Sequence, residues 1–174
     1  MKLNFRQAKA EDIGNIIQLV ESAYRGESSR QGWTTEADLL DGGRTFNEEV
    51  STIIAAKDSK IILVEEAEIL LASVHVKKLV HNRAYIGMLA VSPTWQNRGI
   101  GKALLTYIEK LVVDEFKCSE IEMTVIRQRR ELIAWYEKRG YQLTGETRDF
   151  PYDDERYGIP KRDDLVLEVL LKCL

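Results

Sequence analysis

The sequence predicts a mixed α/β chain organised on one central sheet. Three observations lead there. Short apolar or alternating segments are interleaved with segments whose apolar residues recur at helical spacing, in the order β-α-α-β-β-β-α-β-α-β-β. One strand–helix–strand run, 85–91 to 99–116 to 120–126, is a crossover that makes part of the sheet parallel and right-handed. The 174 residues hold no repeat, no low-complexity tract and no Pro/Gly/Ser-rich linker, so a single domain over residues 1–174 is expected.

Leu3–Gln7 reads as the first strand. Glu11–Tyr24 is a helix, because Ile13, Ile16, Ile17, Val20 and Tyr24 share one face. Tyr24–Arg44 is rich in Gly, Ser and Thr but holds Trp33 and Leu39, which suggests an ordered loop with a short helix. Phe46–Ala56 is a second helix with Asn47 as its N-cap. Lys60–Glu65 and Leu70–Leu79 form a hairpin. In its second strand Leu70, Ala72, Val74 and Val76 face one way and Ser73, His75 and Lys77 the other. Tyr85–Val91 is a strongly apolar central strand. Gly99–Phe116 is a long helix buried along Leu104, Ile108, Leu111 and Val112. Glu120–Ile126 is a strand, and Arg130–Lys138 a short helix stopped by Gly140. Gln142–Arg148 and Leu165–Leu171 are the closing strands.

Composition excludes several classes. With 44% hydrophobic and 30% charged residues, the chain is neither disordered nor fibrous. Lys and Arg number 25 against 28 Asp and Glu, a net charge of −3, which speaks against a dedicated nucleic-acid binder. No apolar stretch is long enough to span a membrane, and residues 1–7 lack the apolar core of a secretory leader, so a cytoplasmic location is expected. Cys118, Cys173, His75 and His81 have no metal-ligand spacing, so no metal is expected.

The chemistry-bearing stretch is Gln96-Asn97-Arg98-Gly99-Ile100-Gly101-Lys102, between the most apolar strand and the longest helix. The first-turn N–H groups of a helix have no intrahelical partner and sit at the positive end of its dipole. They favour a phosphate, and the glycines let it approach the backbone. Arg98 and Lys102 add charge. A P-loop is excluded, because Gly101-Lys102 is followed by Ala103 and the earlier glycine is missing. A dinucleotide fingerprint is poorly met: Leu104 stands at the third position, and Ser92–Arg98 separate strand from glycine. Glu120, one ribose-binding spacing downstream, keeps that alternative open, as does an ordinary helix start.

Gln96-x-Arg98-Gly99-x-Gly101 resembles the acetyl-CoA pyrophosphate loop, Gln/Arg-x-x-Gly-x-Gly/Ala, of the GNAT N-acetyltransferase superfamily. Met88-Leu89-Ala90-Val91-Ser92-Pro93 looks like the strand that precedes that loop. Tyr136-Glu137-Lys138-Arg139-Gly140-Tyr141 resembles the family's second signature, Tyr-Glu-Lys-x-Gly-Phe/Tyr. The resemblance is good over residues 60–150 and looser before them. It implies a single-domain α/β fold with a mixed, mostly antiparallel sheet of six to seven strands and about four helices. It also implies transfer of an acetyl group from acetyl-CoA to a primary amine, by direct attack in a ternary complex.

Residue by residue, the resemblance assigns the pyrophosphate to Gln96 and the backbone of Arg98, Gly99, Ile100, Gly101 and Lys102. It assigns the pantetheine arm to main-chain groups of Leu89, Ala90 and Val91, with a strand bulge around Met88–Ala90 aiming an amide at the thioester oxygen. Tyr136 matches the family tyrosine that protonates the departing thiolate, a role open to a phenol. Trp135 reads as a core aromatic. Two departures stand out. Arg129 occupies the place of an Asn that contacts pantetheine in many members, either as a replacement contact or as part of a solvated basic run. No carboxylate lies between Tyr85 and Val91 to act as a base. His75 and Glu65 are the nearest candidates, and neither is assigned.

The acceptor is expected between the Tyr24–Thr35 segment and the Asp149–Tyr157 segment, with Tyr24, Trp33 and Tyr152 as contacts. The carboxylates of the second segment suit a cationic amine. Arg25, Arg30, Arg44, Arg148 and Arg156 suit a substrate that carries a carboxylate. A small-molecule amine, amino-acid-like or polyamine-like, is the expected acceptor, with the chain a monomer or homodimer. A non-catalytic acyl-CoA-binding sensor and a protein lysine or N-terminal acetyltransferase are the alternatives.

Overall fold

The computed structural model describes residues 1–174. In chain order the elements are β1 (Asn4–Gln7), α1 (Ile13–Tyr24), α2 (Gly26–Ser29), β2 (Leu40–Asp41), α3 (Asn47–Ala55), β3 (Ser59–Glu66), β4 (Ile69–Lys78), β5 (Arg83–Val91), α4 (Ile100–Asp114), β6 (Glu120–Ile126), α5 (Arg130–Glu137), β7 (Gln142–Asp149), β8 (Ile159–Pro160) and β9 (Val166–Cys173). Seven strands form one sheet in the order β1-β3-β4-β5-β6-β9-β7, and β2 pairs with β8 in a separate two-residue ladder.

Alternation in β3 explains the layering. Ile61 and Leu63 face the cluster built with Ile16, Val20 and Ala23 of α1 and Val50 of α3. Ile62 and Val64 face the larger cluster built with Leu104, Ile108 and Val112 of α4 and with Ile133 and Tyr136 next to them on α5. Both faces are thus covered, which is why Ile61–Val64 is a continuous apolar run.

Three local expectations change. Asn47 is not the N-cap of α3: Phe46 holds that position, and no side chain caps the helix. Phe46 is fixed in extended conformation with its ring edge-on to Tyr157 at 5.7 Å, so the helix starts one residue later. Leu70 does not share a face with Ala72, Val74 and Val76. A register shift against β3 inserts Leu71, and Leu70 packs on the α1 side. The α1 pattern begins as a 3-10 turn at Ala10–Asp12, where the Asp12 carboxylate accepts from Lys9 N at 2.7 Å and from both terminal nitrogens of Arg6 at 2.8 Å.

Two irregularities of β5 set up the site. Against β4, Ser73 pairs with Ala90 and His75 with Gly87, so Met88 and Leu89 together face Val74. Met88 has φ +47°, and the bulge lies where the resemblance implies one. Against β6, β5 is parallel only over Arg83–Tyr85 with Glu120–Glu122. Beyond that the two strands part and leave a wedge at the bulge.

Candidate active site

A cleft of about 430 Å³ opens at the N-terminus of α4. Its floor and walls include Leu89 and Val91 of β5, Gly99 to Lys102, and Trp135 and Tyr136 of α5. Gly99 is the cap of α4 at φ +80°, a left-handed conformation that glycine adopts without strain. Ala103 N donates to Gly99 O at 2.9 Å, while the amides of the first turn have no intrahelical partner and border the cleft. A Cβ on Gly101 would lie 3.5 Å from the Trp135 ring and 3.6 Å from Val91, so any longer side chain there enters the cleft.

Gln96 lines the cleft and acts as a bracket. Its Nε2 donates to Val91 O at 3.1 Å, and its Oε1 accepts from Trp33 N at 2.9 Å. A Cβ on Gly32 would fall 2.5 Å from Gln96 Oε1, so this approach requires glycine. Trp33 lines the same cleft with its ring 6.3 Å from Trp135. Trp135, expected as core, is half-buried and forms a wall, with Arg139 3.6 Å above its ring. Three expected residues behave differently. Arg98 is exposed, lies over Trp95 at 4.7 Å and does not line the cleft. Ala90 packs in the α1-side core, so only its backbone can serve a ligand. Tyr152 lines neither cavity. Its hydroxyl accepts from Leu165 N at 2.6 Å and donates to Arg162 O at 3.3 Å, which ties it into its own loop.

A second cavity of about 290 Å³ fills the wedge between β5 and β6. The two cavities share Tyr24, Leu89, Arg129, Leu132 and Tyr136. Tyr24 donates to Leu89 O at 3.1 Å. The Tyr136 ring stands edge-on between Trp135 at 5.0 Å and Tyr141 at 5.7 Å, and its hydroxyl makes no hydrogen bond within the protein. Burial, followed by neighbouring Tyr24, lifts the Tyr136 pKa well above that of an ordinary phenol, so the group is protonated across the neutral range.

The outer wall is held by a buried ion cluster that the sequence did not disclose. Glu36 accepts from Arg25 Nη2 at 2.9 Å and from Arg129 Nη1 at 3.0 Å. Arg25 also donates to Gly43 O at 2.6 Å and Tyr157 O at 2.9 Å, and Arg129 to Thr34 Oγ1 at 2.9 Å. Burial would raise the Glu36 pKa, but Arg129, Arg25 and Arg44 outweigh it and hold the carboxyl below its usual range. Arg129 is therefore no part of a solvated basic run: it is 6% exposed and strapped to the 34–36 loop. The β2–β8 ladder, Leu40 with Pro160 and Asp41 with Ile159, lies just beyond the two acceptor-side segments, and Arg25 Nη2 on Tyr157 O at 2.9 Å links the segments themselves. The carboxylates expected there do not reach the cavity. Asp154 pairs with Arg156 at 2.7 Å, while Phe150, Pro151 and Tyr157 are what line the wall.

Neither base candidate faces the cavities. Glu65 is tied to Arg6 at 2.6 Å across β1 and β3. His75 lies beside Ser59 Oγ at 3.2 Å and edge-on to Tyr85. Burial, helped by Lys77, pushes its pKa down to about 4. Tyr85, which was not proposed for the site, does line the second cavity: its hydroxyl lies 2.6 Å from where a Gly87 Cβ would stand, so glycine makes room for it. No group of His, Cys, Asp and Glu is arranged to hold a metal ion, and no helix is long and apolar enough to cross a membrane.

A helix-terminal cleft meeting a small chamber at a strand bulge, on this topology, is the architecture of an N-acetyltransferase. The chain belongs to the acetyltransferase (GNAT) family, whose family model matches residues 16–141. An S-alkylcysteine N-acetyltransferase of Bacillus subtilis is 28% identical over 145 residues, covering 80% of this chain and 78% of the relative. Among solved structures, the ribosomal-protein-S18-alanine N-acetyltransferase of Escherichia coli superposes with a TM-score of 0.72 at 13% identity, over 99% of this chain and 94% of that one. The IAA acetyltransferase of Bacillus cereus gives 0.69 at 16% identity over 99% and 100%. At such identities the structural likeness speaks for the fold alone.

Proposed function

We propose that this chain, acting as one domain over residues 1–174, moves the acetyl group of acetyl-CoA to a primary amine of a small molecule by direct attack in a ternary complex. The observation that carries the reading is the meeting of the two cavities on Tyr24, Leu89, Arg129, Leu132 and Tyr136. One cavity has the free amides of a 15-residue helix for a diphosphate, and the other opens onto the same strand from the opposite end of the wedge. The roughly 300 Å³ scale of a small-molecule pocket favours a free amine over a protein tail.

Acetyl-CoA supplies the activated thioester. Gly99 to Lys102 hold the diphosphate through main-chain amides. Val91 and Leu89 offer strand groups to the pantetheine arm. Both carbonyls already accept one side-chain bond, and each has a second lone pair free. The Met88–Leu89 bulge turns the backbone toward the carbonyl to be attacked. The amine, having lost its ammonium proton to water, forms the C–N bond as the C–S bond breaks. The nitrogen then gives up a second proton and the sulfur gains one. Tyr136 serves the sulfur as hydrogen-bond donor. Full transfer is uphill from a phenol above its ordinary pKa of about 10 to a thiolate whose thiol titrates near 8.5, so solvent completes the exchange.

The test is a calorimetric titration of the protein with acetyl-CoA, alongside Gly101→Glu. We expect saturable binding in the parent. In the variant affinity falls at least about 100-fold, a loss of about 2.7 kcal/mol, with an unchanged circular dichroism spectrum. Absence of binding in the parent overturns the reading. Binding without thiol release on a panel of amines moves the chain to a sensor role.

A further inference from the structure

The charges of the second cavity point to the substance it accepts, and this inference rests on the acetyl transfer proposed above. Of the five arginines that the sequence offers to an acceptor carboxylate, four are engaged elsewhere. Arg25 binds Glu36 at 2.9 Å, Arg30 binds Asp38 at 2.7 Å, Arg148 binds Glu122 at 2.9 Å and Arg156 binds Asp154 at 2.7 Å. Arg44 has no carboxylate within 4.0 Å, and its guanidinium donates no hydrogen bond to the protein. It lines the cavity, lies 5.4 Å over the Tyr24 ring, and is held by its own backbone, whose N–H donates to Glu21 Oε1 at 2.6 Å.

The carboxylates that line the cavity do not answer this need. Glu36 is shared between Arg25 and Arg129, and Glu49 takes the Thr45 hydroxyl at 2.6 Å. Arg25, Arg44 and Arg129 against Glu36 and Glu49 leave one positive charge in excess. Arg44 is half-buried and its guanidinium has no counter-ion in the protein, so a ligand carboxylate can offer it a bidentate, charge-assisted bond. A polyamine would add to the excess. The wall formed by Leu40, Ile126, Phe150 and Leu167 belongs to a separate apolar cluster and has no polar side chain of its own.

We infer that the acceptor is an α-amino acid with a free carboxylate and a bulky apolar side chain. Arg44 holds the carboxylate, the Leu40–Ile126–Phe150–Leu167 wall takes the side chain, and the α-amine is left for the Met88–Leu89 bulge. Arg44 is then the residue that sets specificity, reading the acid group rather than the amine.

The experiment measures thiol release with acetyl-CoA and four acceptors: S-benzylcysteine, its carboxamide, leucine and spermidine. The parent protein, Arg44→Ala and Arg44→Lys are compared. In the parent we expect kcat/KM for S-benzylcysteine to exceed that of the carboxamide by about 10- to 100-fold, the size of one charge-assisted bidentate contact. The more acidic ammonium of the carboxamide biases the assay against this result. Leucine is used less well and spermidine not at all. In Arg44→Ala the acid-to-amide ratio falls toward one, chiefly through the KM of the acid, and Arg44→Lys recovers part of it. The calorimetric Kd for acetyl-CoA stays the same in both variants. Equal use of acid and carboxamide by the parent overturns the inference, as does a preference for spermidine or an equal loss on both acceptors in Arg44→Ala. If acetyl-CoA binds and only another amine class is acetylated, the inference fails while the transferase reading stands. If acetyl-CoA does not bind, both fail.

Discussion

The two cavities are built in opposite ways. The cleft at α4 has one contiguous segment, Gly99 to Lys102, whose first-turn amides border it, set among walls from other parts of the chain. The chamber between β5 and β6 is made by side chains from segments far apart in sequence, with Glu36 and Arg129 meeting across 93 positions. A backbone site tolerates many side chains and leaves a short motif. A side-chain site can be retuned by single substitutions, and it leaves no local pattern. Under the proposed function, the donor would be held chiefly by backbone and the acceptor chosen by side chains.

Glu36→Gln should separate the two cavities most sharply. It leaves two buried guanidiniums without their shared carboxylate, and we expect a loss of about 3–5 kcal/mol in denaturant unfolding. The acceptor KM should rise more steeply than the Kd for acetyl-CoA, because Glu36 and Arg25 line the chamber alone while Arg129 and Thr34 also border the cleft. Equal damage to both would show that the cavities are one unit.

A sheet residue beneath both regions supplies the control. His75 has a folded pKa of about 4, below the ordinary 6.5. Between those values the unfolded chain binds the extra proton, so stability is full above pH 6.5 and is lost as pH falls toward 4. The expected loss is about 2–3 kcal/mol. His75→Gln should flatten that part of the pH–stability curve measured by urea unfolding, with no preference for either cavity.

The smallest effect is expected where the cavities meet. Tyr136→Phe should lower kcat about 10-fold, near 1.4 kcal/mol, with acetyl-CoA Kd unchanged. The modest size follows from a phenol that donates a hydrogen bond more readily than a proton. For the same reason the parent kcat should show no alkaline fall from Tyr136 below pH 10.

Legibility followed the same division. Element order, the crossover and the Gln96–Gly101 loop were readable because each depends on neighbours within a turn or a strand. Arg44 was readable only as one of five arginines, since its distinction is the absence of a partner. Arg129 and Glu36 were opaque, because their meaning lies in a contact between a loop and a helix start. The placement of Tyr152 was hidden for the same reason: an aromatic on that loop can turn its hydroxyl to its own backbone. Tyr85 needed knowledge that Gly87 leaves space beside it.

The early parting of β5 and β6 has a dynamic consequence. Strand rims without a ladder normally occur at the borders of a sheet, yet here two of them lie in its middle. One rim is partly satisfied by a side chain, the Tyr24 hydroxyl on Leu89 O, instead of a strand. The centre of this protein should consequently contain fast-exchanging amides where β5 and β6 have parted, at those N–H groups of residues 87–89 and 124–126 that point into the wedge instead of toward β4 or β9. Filling the wedge with an acceptor should slow that exchange, so occupancy can be followed in the backbone without any chemical turnover.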